Sequence, residues 1–184
     1  MTTANIRVHS GRLIDLENLQ PQDILIQDIA HALSNICRFG GHVPRFYSVA
    51  QHCCFVAELV PYPARLEGLM HDAAEAYIGD MVTPIKHLPS MYGFRELESK
   101  VEAAIAKTFG LGFNYWRNEI KQADGLAYVT ESINFKGTVE DTMREKFGIV
   151  IGPDGHMVEL NVWSPEQAKV MFLDKFREIV ETGR

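Results

Sequence analysis

The chain has 184 residues, 46% of them hydrophobic, with 24 acidic against 18 basic side chains and a formal net charge of −6. Length and hydrophobicity suffice to close one core, so one domain over 1–184 is expected and disorder is not. The acidic balance speaks against binding a nucleic-acid polymer, and no apolar run of about eighteen residues exists to cross a membrane.

The opening, Ile6 to Leu16, alternates loosely around Ser10-Gly11 and predicts a small hairpin. Met1 to Arg12 has no basic stretch followed by an apolar block, so no secretory signal is expected. Asp23 to Cys37 carries Ile26, Ile29, Ala30, Leu33 and Ile36 at helical spacing. A loop at Arg38-Phe39-Gly40-Gly41-His42 ends that helix. Ser48 is a good N-cap for a helix from Val49 to Val60, stopped by Pro61. Pro63 to Gly79 reads as the next helix, and Thr83-Pro84 as a fresh start. Phe94 to Phe109 is helical and ends at Gly110; Trp116 to Phe135 is helical again. Pro153-Asp154-Gly155 sits between two β-prone runs in Ile149 to Leu160, which predicts a second hairpin. Ser164-Pro165 opens a last helix to about Glu181. The expected fold is mainly α, a helical bundle with one or two small β-hairpins.

Cys37, Cys53 and Cys54 form no CxxC pair and are odd in number. They read as small buried thiols in a reducing cytoplasm rather than as a disulfide or zinc knuckle.

Four polar residues stand on otherwise apolar helices: His52, the adjacent His71 and Asp72, and Asp124. A lone histidine on an apolar face is usually a satisfied core residue. The adjacent His71-Asp72 pair changes that, because burying both without partners is costly. Two imidazoles and two carboxylates suit a divalent transition metal (Co, Mn, Zn, Fe or Ni, with Mg also admitted) better than calcium. Glu75 lies four residues after His71 and shares its helix face. Asp80 follows just beyond Gly79. Acids beside a metal can orient water or carry a proton. The ordinary alternatives are a solvated Glu and a helix-end Asp.

These residues resemble the H…HD…D signature of the HD-domain metal phosphohydrolases. "YSVAQHCC", "LMHDAAEAYIGDMVTPIKHL" and "KQADGLAYVTES" are similar, in that order, to segments of bacterial 5′-deoxynucleotidases. Small phage enzymes that destroy dATP share this motif architecture. The resemblance implies an HD-domain helical bundle with His52, His71, Asp72 and Asp124 as metal ligands. It implies Glu75 and Asp80 as the acids that assist hydrolysis. Arg38-Phe39 falls where the deoxynucleotidases carry Arg-Trp, which implies phosphate contact for Arg38 and nucleotide contact for Phe39. Thr83 and Lys86 match the TP-x-K element near the substrate.

The reaction so implied is metal-dependent hydrolysis of a 2′-deoxynucleotide phosphate ester. Removal of the 5′-phosphate from a monophosphate leads; release of triphosphate from a deoxynucleoside triphosphate is the alternative. A non-catalytic nucleotide-binding module is a third reading of a different class. A phosphate ester is already anionic, so cations such as Arg38 and Lys86 would offset charge on its oxygens. His42, Arg45 and His87 are further candidates near the substrate, with Gly40-Gly41 permitting close backbone approach. His31 reads as structural, His9 and His156 as hairpin residues, and Trp116-Arg117 as packing. The expected partner is a small deoxynucleotide, in a cytoplasmic homo-oligomer.

Overall fold

The computed structural model describes residues 4–182. Residues 1–3, at the start of the opening segment, and 183–184 lie outside the described range. The fold is mainly helical with one small antiparallel sheet. Strands β1 (Asn5–Arg7) and β2 (Leu13–Asp15) pair in the register Asn5 with Asp15, Ile6 with Ile14 and Arg7 with Leu13. The Ser10 tip is pinned to the next helix, with its N–H and hydroxyl donating to buried Asp28 at 2.6 and 2.9 Å.

Helix α1 (Ile26–Asn35) follows, burying Ile29, Ala30 and Leu33, the spacing that predicted it. Helix α2 (Val49–Leu59) starts as expected at Ser48, whose Oγ accepts from Gln51 N–H at 3.1 Å. It is buried on nearly all sides and packs against α1, against α3 (Arg65–Met70), against α7 (Arg117–Lys136) and against α9 (Pro165–Thr182). Gly68 of α3 permits the closest of these approaches. A Cβ there would stand 2.9 Å from Val60 Cγ2 and 3.3 Å from Ala57 Cα. Gln51 ties the chain before α9 to the centre, donating to Asn161 O and accepting from Trp163 N–H.

The helix expected over Pro63 to Gly79 is interrupted. Helix α3 ends at Met70, and α4 covers only Glu75–Ile78. Between them Ala73 N–H bonds Met70 O and Glu75 N–H bonds Asp72 O, one residue tighter than an α-helix. The His71 ring competes for the ladder here: its Nδ1 lies 2.8 Å from Gly68 O. The chain then passes α5 (Thr83–Lys86) into α6 (Tyr92–Phe109), which ends as expected at Gly110 in a left-handed conformation. Helix α8 (Asp141–Phe147) was not expected; it has seven residues, none fully buried, too few for periodicity to show. The second hairpin closes through a single bridge between Ile151 and Met157. Helix α9 opens on a capping box in which Ser164 and Gln167 exchange side-chain bonds to each other's N–H. Cys53 and Cys54 are buried, Cys37 is half-buried, and all three are free thiols.

Candidate metal centre

The interrupted segment after α3 and the central helix α2 bring three donors together. His52 comes from α2, and His71 and Asp72 from the tight turn. His52 Nε2 is 3.2 Å from His71 Nε2 and 3.6 Å from Asp72 Oδ2. His71 Nε2 is 3.2 Å from Asp72 Oδ2. Asp124, from the second turn of α7, extends the set from the other side. Its Oδ1 is 3.2 Å from His52 Nε2 and 4.0 Å from His71 Nε2.

The chemistry of these donors fits a metal. His52 Nδ1 faces Glu131 Oε1 at 2.7 Å, and His71 Nδ1 faces the Gly68 carbonyl at 2.8 Å. Both partners only accept, so each ring keeps its proton on Nδ1 and, when neutral, turns its Nε2 lone pair to the common centre. Metal–donor bonds of about 2.0–2.2 Å give donor–donor edges of about 3.0–3.5 Å; three of the five distances are 3.2 Å, and the His52–Asp72 and His71–Asp124 pairs are longer at 3.6 and 4.0 Å. Burial opposes charging the rings, yet Glu131 and Asp124 raise the His52 pKa and Asp72 raises that of His71. His52, His71 and Asp72 thus form a cluster that can hold a metal ion.

Burial would raise the Asp72 carboxyl, but His71, His52 and Arg38 outweigh it and hold it well below the usual carboxylate range. Burial and the Asp72 and Asp80 charges push Glu75 up to about 9. In the metal-free fold this environment favours the protonated acid at neutral pH, beside a carboxylate held ionised. Asp80 is also raised, chiefly by burial.

Asp72 of the cluster lies at the floor of a cavity of about 1040 Å³, with the His52 and His71 rings behind the lining. Asp72, Asp124, Glu75 and Asp80 line it, as do Arg38, Phe39, Thr83 and Lys86. His42 and His87 lie on its rim, both exposed. Arg45 is exposed and does not line the cavity. Arg38 reaches the floor: its Nη1 is 3.6 Å from Asp72 Oδ2 and its Nε is 3.2 Å from Glu131 Oε2. That second contact has the distance of an ion pair without the alignment of a hydrogen bond. Lys86 Nζ is tied to Glu98 Oε1 at 2.5 Å. Phe39 holds a left-handed backbone (φ 58°), which costs a non-glycine residue about 1–2 kcal/mol. Its ring lies 5.1 Å from Lys136 Nζ and 5.9 Å from the Tyr128 ring.

Several site residues escaped the sequence reading. Glu131 is fully buried behind His52 and also accepts from Tyr47 OH at 2.8 Å. A signal existed: Glu131 follows Asp124 by seven residues, two turns along the same face of α7. Lys121, Tyr128, Lys136, Met143, Lys146 and Phe147 complete the far wall of the cavity. They come from α7 and from α8, the element that periodicity could not reveal.

Fold and site together define a mainly helical protein with a partly buried His-His-Asp cluster, an arrangement compatible with an HD domain. No family model matches the chain. It is 35% identical over 176 residues to "Uncharacterized protein YfdR" of Escherichia coli (strain K12), a span covering 96% of each chain. It is 40% identical over 154 residues to an uncharacterized protein of Rhodobacter capsulatus, covering 77% of this chain and 78% of that one. The chain belongs to the family these two proteins represent. Among the described residues no helix is long and apolar enough to cross a membrane.

Proposed function

We propose that the protein is an HD-type, metal-dependent hydrolase of 2′-deoxynucleotide phosphate esters, removing the 5′-phosphate from deoxynucleoside monophosphates. One observation carries the reading. Two imidazole nitrogens and two carboxylates converge where Asp72 and Asp124 floor a cavity, and Glu75, whose pKa burial and neighbouring carboxylates raise, lines the same cavity.

A divalent transition metal bound by His52, His71, Asp72 and Asp124 supplies charge neutralisation and an activated water. The chain's own groups do the rest. Glu75 keeps its proton at neutral pH and gives it to the 5′-oxygen as the bond from phosphorus to that oxygen breaks. Asp80, across the same wall, orients the attacking water. Arg38 offsets charge on the phosphate oxygens, Lys86 and Thr83 border the phosphate, and Phe39 offers its ring face to the nucleoside.

A second reading, triphosphate release from a deoxynucleoside triphosphate, draws on a separate observation. Lys121, Lys136 and Lys146 line the same cavity without a carboxylate partner among the described residues. The deciding experiment gives metal-stripped protein Co²⁺, Mn²⁺ or Mg²⁺. It then offers deoxynucleoside mono- and triphosphates, with ribonucleotides as controls. Inorganic phosphate from monophosphates supports the leading reading, and intact triphosphate the second. Metal and nucleotide binding without turnover would leave a non-catalytic nucleotide module.

A further inference from the structure

Glu131 is the most deeply buried carboxylate near the cluster and does not line the cavity. It is 0% exposed, so it touches no substrate. Yet three polar side chains converge on it: His52 Nδ1 at 2.7 Å, Tyr47 OH at 2.8 Å and Arg38 Nε at 3.2 Å. Removing one partner from such a buried ionic group leaves the remaining charge uncompensated. A helix core does not need this arrangement; a hydrophobic residue of similar volume would pack as well.

We propose that Glu131 is a positioning residue of the metal centre: it fixes the His52 ring and shares Arg38 with the ligand Asp72, so that the guanidinium does not pair with Asp72 alone. The inference rests on the metal reading of the cluster.

Two asymmetries support it. The His71 ring is held by a neutral peptide carbonyl, whereas the His52 ring is held by a carboxylate. An anionic acceptor on Nδ1–H makes the opposite nitrogen a stronger donor to a metal. Of the two imidazoles His52 is also the deeper, with no exposed surface, and it lies nearest Asp124. The second asymmetry concerns Arg38. Its guanidinium stands between two carboxylates, 3.2 Å from Glu131 and 3.6 Å from Asp72. With Glu131 anionic, the cation is shared and Asp72 keeps an oxygen for the cluster. With Glu131 neutral, Asp72 is the nearest anion left to Arg38, and the guanidinium competes with the metal for it.

The test uses metal-stripped full-length protein titrated with Co²⁺ and followed by its visible absorption, with circular dichroism as the control for folding. A second readout is the His52 Nδ1–H proton resonance of the Zn²⁺-loaded protein. In wild type that proton is expected far downfield and protected from exchange. Glu131→Gln is expected to weaken Co²⁺ binding about 10–100-fold and to lose the protected resonance. Arg38→Met on that background is expected to recover part of the affinity, which a merely structural role would not do. Glu131→Asp and Tyr47→Phe are made in parallel because they keep the buried charge; each is expected to weaken binding less than Glu131→Gln. Unchanged affinity and an unchanged resonance in the folded variants would overturn the inference. A wild-type protein that binds no Co²⁺ would overturn the metal reading itself, a different and separable failure.

Discussion

The floor and the rim of the main cavity are built on opposite terms. Directly behind the floor, His52 and Glu131 are completely buried, and each ring nitrogen turned away from the cluster has a partner within 2.8 Å. At the rim, α8 has no fully buried residue. Lys136 and Lys146 there rest over the rings of Phe39 and Phe147 rather than against carboxylates. The floor has one geometry, set by helices packed around α2. The rim has side chains free to reposition around whatever enters. Under the proposed function, chemistry that needs fixed donors would belong to the first and selection among substrates to the second.

Removing a floor residue should therefore produce the largest effect. His71→Ala takes one of two imidazoles from a site whose remaining groups are mostly anionic. Stoichiometric Co²⁺ binding is expected to vanish and phosphohydrolase activity to fall to background. Metal analysis after dialysis checks the first and product chromatography the second. Retained binding would show that the cluster is not the metal centre.

Glu75→Gln acts at the boundary between floor and rim, and its effect is next in size. Loss of a positioned proton donor is expected to cost about 10²–10⁴ in turnover. The same residue shapes stability, in a direction its environment fixes. Its pKa rises from 4.5 in the unfolded chain to about 9 in the metal-free fold. Below 4.5 both states hold the proton. Between 4.5 and about 9 the unfolded chain releases it while the fold retains it, so stability declines as pH rises through this window. Glu75→Gln has no proton to lose. Its urea midpoint, measured across that window on metal-free protein, should fall less steeply with pH than that of wild type. Parallel curves would mean that Glu75 is already ionised in the fold.

The same contrast explains what the sequence could reveal. The helical class, the Ser48 cap and the Gly110 stop were legible because each depends on neighbours within a few residues. The His71-Asp72 pair was legible because two adjacent polar residues on an apolar run are costly unless they serve something. The break after Met70 was not, since it depends on the His71 ring bonding Gly68 O, and nothing in the apolar periodicity marks it. Glu131 was hidden differently. A glutamate in a long helix usually faces water, and only the tertiary approach of α2 to α7 encloses this one. The far wall was hidden because α8 is short and half-exposed.

Gly125→Ala tests how the rim is attached to the floor. A Cβ at Gly125 would fall 2.3 Å from the Phe147 ring, so the ring that ends α8 lies directly on the backbone of α7. Alanine favours the helix by about 1 kcal/mol over glycine, and that gain offsets part of the clash. The expected outcome is a small net loss of global stability, under about 2 kcal/mol, with α8 displaced outward. Hydrogen exchange should quicken across Asp141–Phe147 and stay unchanged in α2. Equal quickening in both would mean that the rim is no more mobile than the floor.

The smallest effect is expected at the rim lysines, and it separates the two substrate readings. Lys136 is exposed and has no carboxylate partner among the described residues, so Lys136→Ala should leave stability within about 0.5 kcal/mol. A rim charge meeting a substrate phosphate contributes about 0.5–1 kcal/mol, which raises KM about two- to fivefold. That rise should appear for triphosphates, whose charge would extend away from the floor, and be absent for monophosphates, whose single phosphate would meet only Asp72 and Asp124 at the floor. It should shrink as salt is added, because exposed charges are screened. Arg45→Ala, outside the cavity, should change neither KM. An equal rise for monophosphates would place Lys136 beside the reacting phosphate and draw the rim into the chemistry of the floor.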